Sequence, residues 1–126
     1  MALSSERPVN LDLTTFRFPI TAITSILHRV SGVILFFGSF VLMALLGLSL
    51  ENKAGFADAL VLIENGFVAF MIWGVLAALA YHFVAGVKHL LMDMGYGETL
   101  ESGPVFAKVS MALAVVLIVL AGTWVW

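Results

Sequence analysis

Three long stretches without a charged residue dominate this 126-residue chain, and they limit what it can fold into. They cover residues 30–50, 65–87 and 109–126, which are 21, 23 and 18 residues long. At about 1.5 Å per residue, helices of these lengths would be roughly 31, 34 and 27 Å long. The hydrocarbon layer of a bilayer is about 30 Å thick. The pattern therefore predicts an all-α integral membrane protein with three transmembrane helices.

Composition narrows the chemistry that such a protein can carry. Hydrophobic residues make up 62% of the chain and charged residues 11%, about half the charged share of an average soluble domain. A net charge of −2 leaves no basic surface for nucleic acid. The chain has no cysteine, which excludes disulfides, thiolate metal sites and cysteine-held iron–sulfur clusters within it. Histidines and carboxylates are therefore its only strong metal ligands.

Turn-forming residues and charges divide the chain into six segments. We predict a cytoplasmic N-terminal arm (1–18), transmembrane helix 1 (19–50), an outer, periplasmic loop (51–65), transmembrane helix 2 (66–92), a cytoplasmic loop (93–104) and transmembrane helix 3 (105–126). Pro19 suits the first turn of a helix. The outer segment is expected to hold a short amphipathic helix, and glycines and a proline mark the second loop.

Basic residues are distributed unequally between the two sides of the predicted membrane domain. The first connection between the long helices holds only Lys53. The other five lie before or at the start of helix 1, or around the second loop: Arg7, Arg17, Arg29, Lys88 and Lys108. Because cytoplasmic segments carry the excess of arginine and lysine, the N-terminus and the second loop are predicted to be cytoplasmic. No signal or transit-peptide pattern is evident, which favours a bacterial inner membrane.

A polar stripe runs along one face of the first helix. Its members recur at spacings of three and four residues: Thr21, Thr24, Ser25, His28, Arg29 and Gly32. Polar groups at membrane depth are costly against lipid, so the stripe is expected to face protein or a cavity. Ser25 and Arg29 form an i, i+4 pair within it. They either bind an oxygen atom of a small molecule, or are an arginine that reaches the headgroups and a serine that bonds back to its own helix.

His82 lies inside the second helix, about 9 Å from Lys88 along the helix axis. It is either an axial ligand of a b-type haem or a histidine that bonds to a neighbouring helix. His89 is about 10.5 Å further along the same helix, so these two histidines cannot bind opposite faces of one haem. The second axial ligand would be His28 or, more simply, a histidine from another subunit. The candidate contacts for haem propionates are His28, Arg29, Lys88 and His89.

Two motifs resemble those of a known family. Residues 7–32, RPVNLDLTTFRFPITAITSILHRVSG, contain an S-x-x-H-R-x-S-G run. Residues 80–96, AYHFVAGVKHLLMDMGY, contain an H-x3-G-x-[KR]-H-x3-D run. Both closely resemble the cytochrome b556 membrane-anchor subunits of succinate dehydrogenase, the larger of the two anchors in proteobacterial complex II. The predicted helix count and orientation agree with that family.

The resemblance implies a fold and a set of roles. The three helices would pair with three from a second anchor subunit into a six-helix bundle, and an iron–sulfur subunit and a flavoprotein subunit would dock on its cytoplasmic side. His82 would be the haem b axial ligand from this chain, with the second histidine on the smaller anchor. Ser25 and Arg29 would line the ubiquinone site, and Asp93 would belong to its proton supply. His28 and Arg29 would also lie close to the haem propionates.

Position 88 departs from the family pattern, because it is Lys where relatives often have Arg, and the bidentate fork is lost. Two other functions also stay open. The first is the anchor of a related fumarate reductase that oxidises menaquinol. The second is a small transporter subunit, which would need polar groups near the midplane of the membrane. The first helix offers only Gly38 and Ser39 there, the second offers nothing ionisable before His82, and the third offers nothing.

Overall fold

The computed structural model describes residues 11–12 and 14–126, and this part of the chain contains helices but no strands. The helices are α1 (Ile20–Glu51), α2 (Lys53–Glu64), α3 (Gly66–Asp93) and α4 (Ser102–Val125). Most of the predicted arm, including Arg7, lies outside the described residues. Helices α1, α3 and α4 are 32, 28 and 24 residues long, and each is long and apolar enough to cross a membrane. The predicted all-α membrane fold with three spans is confirmed.

Small residues form the contacts between the long helices. The buried residues of α1 follow one another at intervals of seven: Thr24, Ser31 and Gly38. The buried residues of α4 alternate at intervals of four and three: Gly103, Ala107, Ser110 and Ala114. Small side chains at such spacings let helix backbones approach closely. Close packing is what holds helices together in lipid, because burying apolar surface between them gains little there.

Large apolar side chains cover the outer faces of the helices. Phe36, Phe37 and Phe40 on α1 are all exposed, as are Phe70 and Phe83 on α3. Nothing in the described part of the chain covers them. These faces therefore meet lipid or another subunit.

Gly38 allows a close approach between α1 and α3, because a Cβ atom there would lie 2.5 Å from Cγ2 of Val75. The change Gly38→Ala should lower the free energy of unfolding by about 1–3 kcal/mol, the usual cost of overpacking. Shortening the neighbour as well, in Gly38→Ala with Val75→Ala, should recover part of that loss. The measurement is the thermal midpoint of the purified protein in detergent.

Gly47→Ala is the matched control for this prediction. Gly47 lies on the same helix, and no described residue comes within 4 Å of the position its Cβ would take. This variant should melt at the midpoint of the unmodified protein or slightly above it, since alanine favours a helix more than glycine does. Equal midpoints for Gly38→Ala and Gly47→Ala would contradict the close packing of α1 on α3.

The connection between the first two spans is itself mostly helical. The side chain of Asn52 accepts hydrogen bonds from the backbone N–H groups of Ala54 and Gly55, at 2.9 and 3.0 Å. Asn65 caps α3 in the same way through the N–H of Phe67, at 3.0 Å. Asparagine is a favoured N-cap because its side chain satisfies N–H groups that have no partner within the helix. The expected short helix in the outer segment is therefore present as α2.

Helix α4 begins at Ser102 rather than at residue 105. The N–H of Ser102 donates to Oγ1 of Thr99 at 3.0 Å, and the N–H of Gly103 donates to the carbonyl of Thr99 at 2.9 Å. Pro104 consequently lies in the first turn, where a missing N–H leaves no hydrogen bond unmade. Glycine and proline usually indicate a loop, and here the side chain of Thr99 starts the helix before them.

Candidate functional site

The first turns of α1 pack against the last turns of α3 in antiparallel order, and α3 donates hydrogen bonds to α1 at three places. The hydroxyl of Tyr81 donates to the carbonyl of Thr24 at 3.0 Å. The Nζ atom of Lys88 donates to Oγ1 of Thr24 at 3.0 Å. The Nδ1 atom of His82 lies 3.1 Å from the carbonyl of His28. This end of the bundle therefore carries most of the polar contacts between the spans.

The hydrogen bonds of His82 determine which of its ring nitrogens carries the proton. A carbonyl oxygen can only accept, so Nδ1 must donate to the carbonyl of His28. The hydroxyl of Ser31 also lies 3.1 Å from Nδ1, and it donates its own proton to the same carbonyl at 2.7 Å. With the proton on Nδ1, the lone pair of the neutral ring is on Nε2. Among the described residues, Nε2 has no hydrogen-bond partner and is thus available to a metal.

The ring of His28 is stacked on the ring of His82. Their centroids are 4.1 Å apart and their planes differ by 20°. Two axial ligands reach an iron from opposite sides through their ring edges, and rings stacked face to face cannot do this. In this arrangement the two rings are not opposed across a space that an iron could occupy.

The three histidines of the chain form a row across the helix interface. His28 of α1 lies between the two histidines of α3, and its centroid is 5.2 Å from that of His89. Two glycines make room for the row. A Cβ at Gly32 would lie 3.2 Å from Cε1 of His82, and one at Gly86 would lie 3.5 Å from Nε2 of His28. The glycines noted in both sequence motifs therefore admit imidazole rings between the helices.

Ser25 differs from four of the five other hydroxyl residues of α1. These four donate to the carbonyl three residues earlier, at 2.7 to 2.9 Å: Thr24, Ser31, Ser39 and Ser49. Within the described chain the hydroxyl of Ser25 has no such bond, and the side chain is half-buried. The structure therefore does not contain the bond from Ser25 to its own helix that the alternative interpretation of the Ser25–Arg29 pair includes.

Arg29 and Asp93 lie at the edges of the site. Arg29 is exposed on α1, one helical turn after Ser25. Asp93 is exposed at the last position of α3, one turn after His89. Neither has an ion-pair or hydrogen-bond partner within the described residues. Both are accessible from outside this chain.

Lys88 occupies a different place from the one its position in the sequence indicates. It is only 5% exposed, and its ammonium is bonded to Thr24, which is fully buried. No carboxylate of the described chain lies within ion-pair distance. The ammonium is therefore directed toward Thr24 in the interface, and its contact with a haem propionate stays a prediction.

Ser31 and Tyr81 both hold α1 against α3, but neither is among the predicted site residues. Ser31 is the second serine of the S-x-x-H-R-x-S-G run, and it continues the spacing of seven that starts at Thr24. Tyr81 gave no signal, because a tyrosine next to a histidine on an apolar helix is ordinary. Their roles depend on which faces of the two helices meet.

Comparison with known proteins gives one family. Residues 4–121 match the model for the succinate dehydrogenase/fumarate reductase transmembrane subunit. The chain is 38% identical over 129 residues to the succinate dehydrogenase cytochrome b556 subunit of Coxiella burnetii, covering 98% of this chain and 100% of that protein. It is 33% identical to the cytochrome b556 subunit of Paracoccus denitrificans, over 91% of this chain and 88% of that one. The cytochrome b560 subunit of Reclinomonas americana is 29% identical, over 94% and 86%.

Proposed function

Because this chain belongs to the family of succinate dehydrogenase/fumarate reductase transmembrane subunits, we propose that it is the cytochrome b556 anchor of a succinate:ubiquinone oxidoreductase. In that complex it binds haem b together with a second anchor subunit and forms part of the site where ubiquinone is reduced. The names of its relatives support the succinate enzyme over a fumarate reductase. The chain has no turnover of its own, since succinate is oxidised in soluble subunits.

The observation that carries the haem proposal is the pair of acceptors around Nδ1 of His82. A metal-ligating histidine usually donates its other ring N–H to a carbonyl or carboxylate, which orients the ring and makes the ligating nitrogen more basic. The carbonyl of His28 and the hydroxyl of Ser31 do this here, at 3.1 Å each. His82 is the axial ligand from this chain, and the haem supplies one-electron redox chemistry when bound.

A second subunit must complete the haem site. His28 is stacked on His82, and His89 is two helical turns away on the same helix, so in this arrangement neither is placed to provide the opposite axial ligand. The exposed apolar faces of α1 and α3 offer surface for the helices of a second anchor. We assign the propionate contacts to His28, Arg29 and His89, whereas a contact from Lys88 stays a prediction, since its ammonium bonds Thr24.

Ser25 and Arg29 are suited to a ubiquinone headgroup. The hydroxyl of Ser25 is uncommitted and can donate to a carbonyl oxygen of the quinone. The guanidinium of Arg29 stabilises negative charge that develops on that oxygen as electrons arrive. Reduction to the quinol takes up two electrons and two protons, and Asp93, exposed at the end of α3, is placed for proton supply from water. Arg29 is exposed, so the site is open to a lipid-soluble substrate that arrives from the membrane.

The soluble partners are an iron–sulfur subunit and a flavoprotein subunit, which dock at the end of the bundle where the histidines lie. Electrons from succinate would then enter close to the site that uses them. The excess of basic residues at this end supports its being the cytoplasmic side of a bacterial inner membrane.

The experiment is purification of the complex from membranes through a tag on this chain. We expect the flavoprotein, the iron–sulfur protein and a second small anchor to copurify, and a reduced-minus-oxidised spectrum to contain a b-type band. Extraction should yield ubiquinone, whereas menaquinone would favour the fumarate reductase. A tagged chain that purifies alone and without haem would contradict the proposal.

A further inference from the structure

Lys88 is a buried cation whose only described polar partner is a hydroxyl group. Its side chain is 5% exposed, Thr24 is 0% exposed, and 3.0 Å separates Nζ from Oγ1. No carboxylate of the described residues compensates the charge. A buried charged group without such compensation is costly, so the hydrogen bond to Thr24 matters more for stability than an ordinary one.

The direction of this hydrogen bond follows from the other contacts of Thr24. Its hydroxyl donates its single proton to the carbonyl of Thr21 at 2.9 Å, and it can therefore only accept from Lys88. The carbonyl of Thr24 accepts from the hydroxyl of Tyr81 at 3.0 Å. Thr24 is thus held to α3 through its side chain and through its backbone, by groups two helical turns apart on α3.

Holding Thr24 sets the rotation of α1 about its own axis. Successive residues of an α-helix point about 100° apart. With Thr24 turned into α3, the next residue, Ser25, is left half-buried at the side of the interface, and Arg29 is exposed. A rotation of α1 that released Thr24 would move both of these side chains and change their distance from His82.

We propose that Lys88 is a positioning residue for the quinone site and acts through Thr24. This inference depends on the quinone site proposed above for Ser25 and Arg29. The buried bond between Lys88 and Thr24 holds α1 in the rotation that presents both groups to the headgroup. Lys88 itself touches no substrate.

The test is a double-mutant series in the whole complex: Lys88→Met, Thr24→Val and the two combined. Thr24→Val leaves the buried ammonium without a partner, and we expect assembled complex to fall roughly fivefold or more. Lys88→Met should cost less, because the hydroxyl of Thr24 still donates to the carbonyl of Thr21. Removing both partners leaves an apolar pair of similar size, so the double variant should return to within about twofold of the unmodified amount. That recovery would show that Lys88 and Thr24 interact directly.

The quinone kinetics of the assembled double variant then separate positioning from stability. We expect its KM for a soluble ubiquinone analogue to stay raised roughly fivefold, since the bond between the side chains of Lys88 and Thr24 no longer restrains the rotation of α1. Reduction of a dye by the soluble subunits should be unchanged per complex. Thr24→Ser keeps the hydroxyl and should keep both assembly and KM.

Matched controls exist in the same chain. Lys108→Met removes an exposed lysine, and Thr123→Val removes a hydroxyl that also bonds three residues back, at 2.9 Å, but is exposed and has no described partner on another helix. Neither should change assembly or KM. The proposal is overturned by a double variant that does not recover, or that recovers with a normal KM. Ser25→Ala and Arg29→Leu in the same series show which inference has failed, since a normal KM in both would contradict the quinone site itself.

Discussion

Replacing His82 with leucine should remove the b-type haem band from the purified complex. Leucine fills a similar volume but has no lone pair, so the iron would lose the axial ligand from this chain. The measurement is the reduced-minus-oxidised spectrum per mole of flavin, which corrects for differences in yield. We expect loss of most of the band, or a spectrum altered to that of a haem with one protein ligand.

Two further variants make this test specific. His89→Leu removes the other histidine of α3 and should keep the b-type band, because that residue is at most a propionate contact. Ser31→Ala removes one of the two acceptors around Nδ1 and should weaken haem retention by roughly tenfold, the lower end of the usual effect of such outer groups. An unaltered spectrum in His82→Leu would refute the axial assignment. A band lost equally in His89→Leu would indicate a general defect of folding.

Replacing Arg29 with leucine should lower quinone reduction by roughly 10- to 100-fold, because the charge that stabilises the developing negative oxygen is removed. Ser25→Ala removes one hydroxyl and should cost about tenfold or less, within the range for a single hydrogen bond. Succinate oxidation is measured with two acceptors: a ubiquinone analogue, and a dye that takes electrons from the soluble subunits. Quinone reduction should fall while dye reduction by assembled complex persists.

Arg17→Leu is the matched control for Arg29→Leu. Arg17 is also exposed, but it precedes α1 and lies outside the polar stripe. The variant Arg17→Leu should leave quinone kinetics unchanged. Equal loss with both acceptors in Arg29→Leu would assign this arginine to assembly. Normal quinone kinetics in both Ser25→Ala and Arg29→Leu would leave only an arginine that anchors its helix at the headgroups.

The limits of prediction from the sequence are clearest at His82 and Lys88. The sequence indicates that His82 needs a partner at membrane depth, and two kinds of partner were consistent with it. Only the packed helices identify the carbonyl of His28 and the hydroxyl of Ser31, and with them the free Nε2 atom. Lys88 is predicted as a propionate contact because it lies on the predicted cytoplasmic side with His28, Arg29 and His89. In the structure its ammonium is directed into the interface instead, toward Thr24.

The sequence by itself determined the number of spans, their approximate ends and the end of the bundle that carries the polar groups. A span must be apolar over the thickness of the bilayer, and charges are tolerated only near its ends. The number and the ends of the spans can therefore be read from the order of apolar and charged residues. The rotation of each helix was decided only by tertiary structure. In lipid, apolar side chains suit both the interface and the surroundings, so the apolar pattern does not reveal which face turns inward. That choice rests on the close contacts at Gly32, Gly38 and Gly86, and on the few hydrogen bonds that α3 donates to α1.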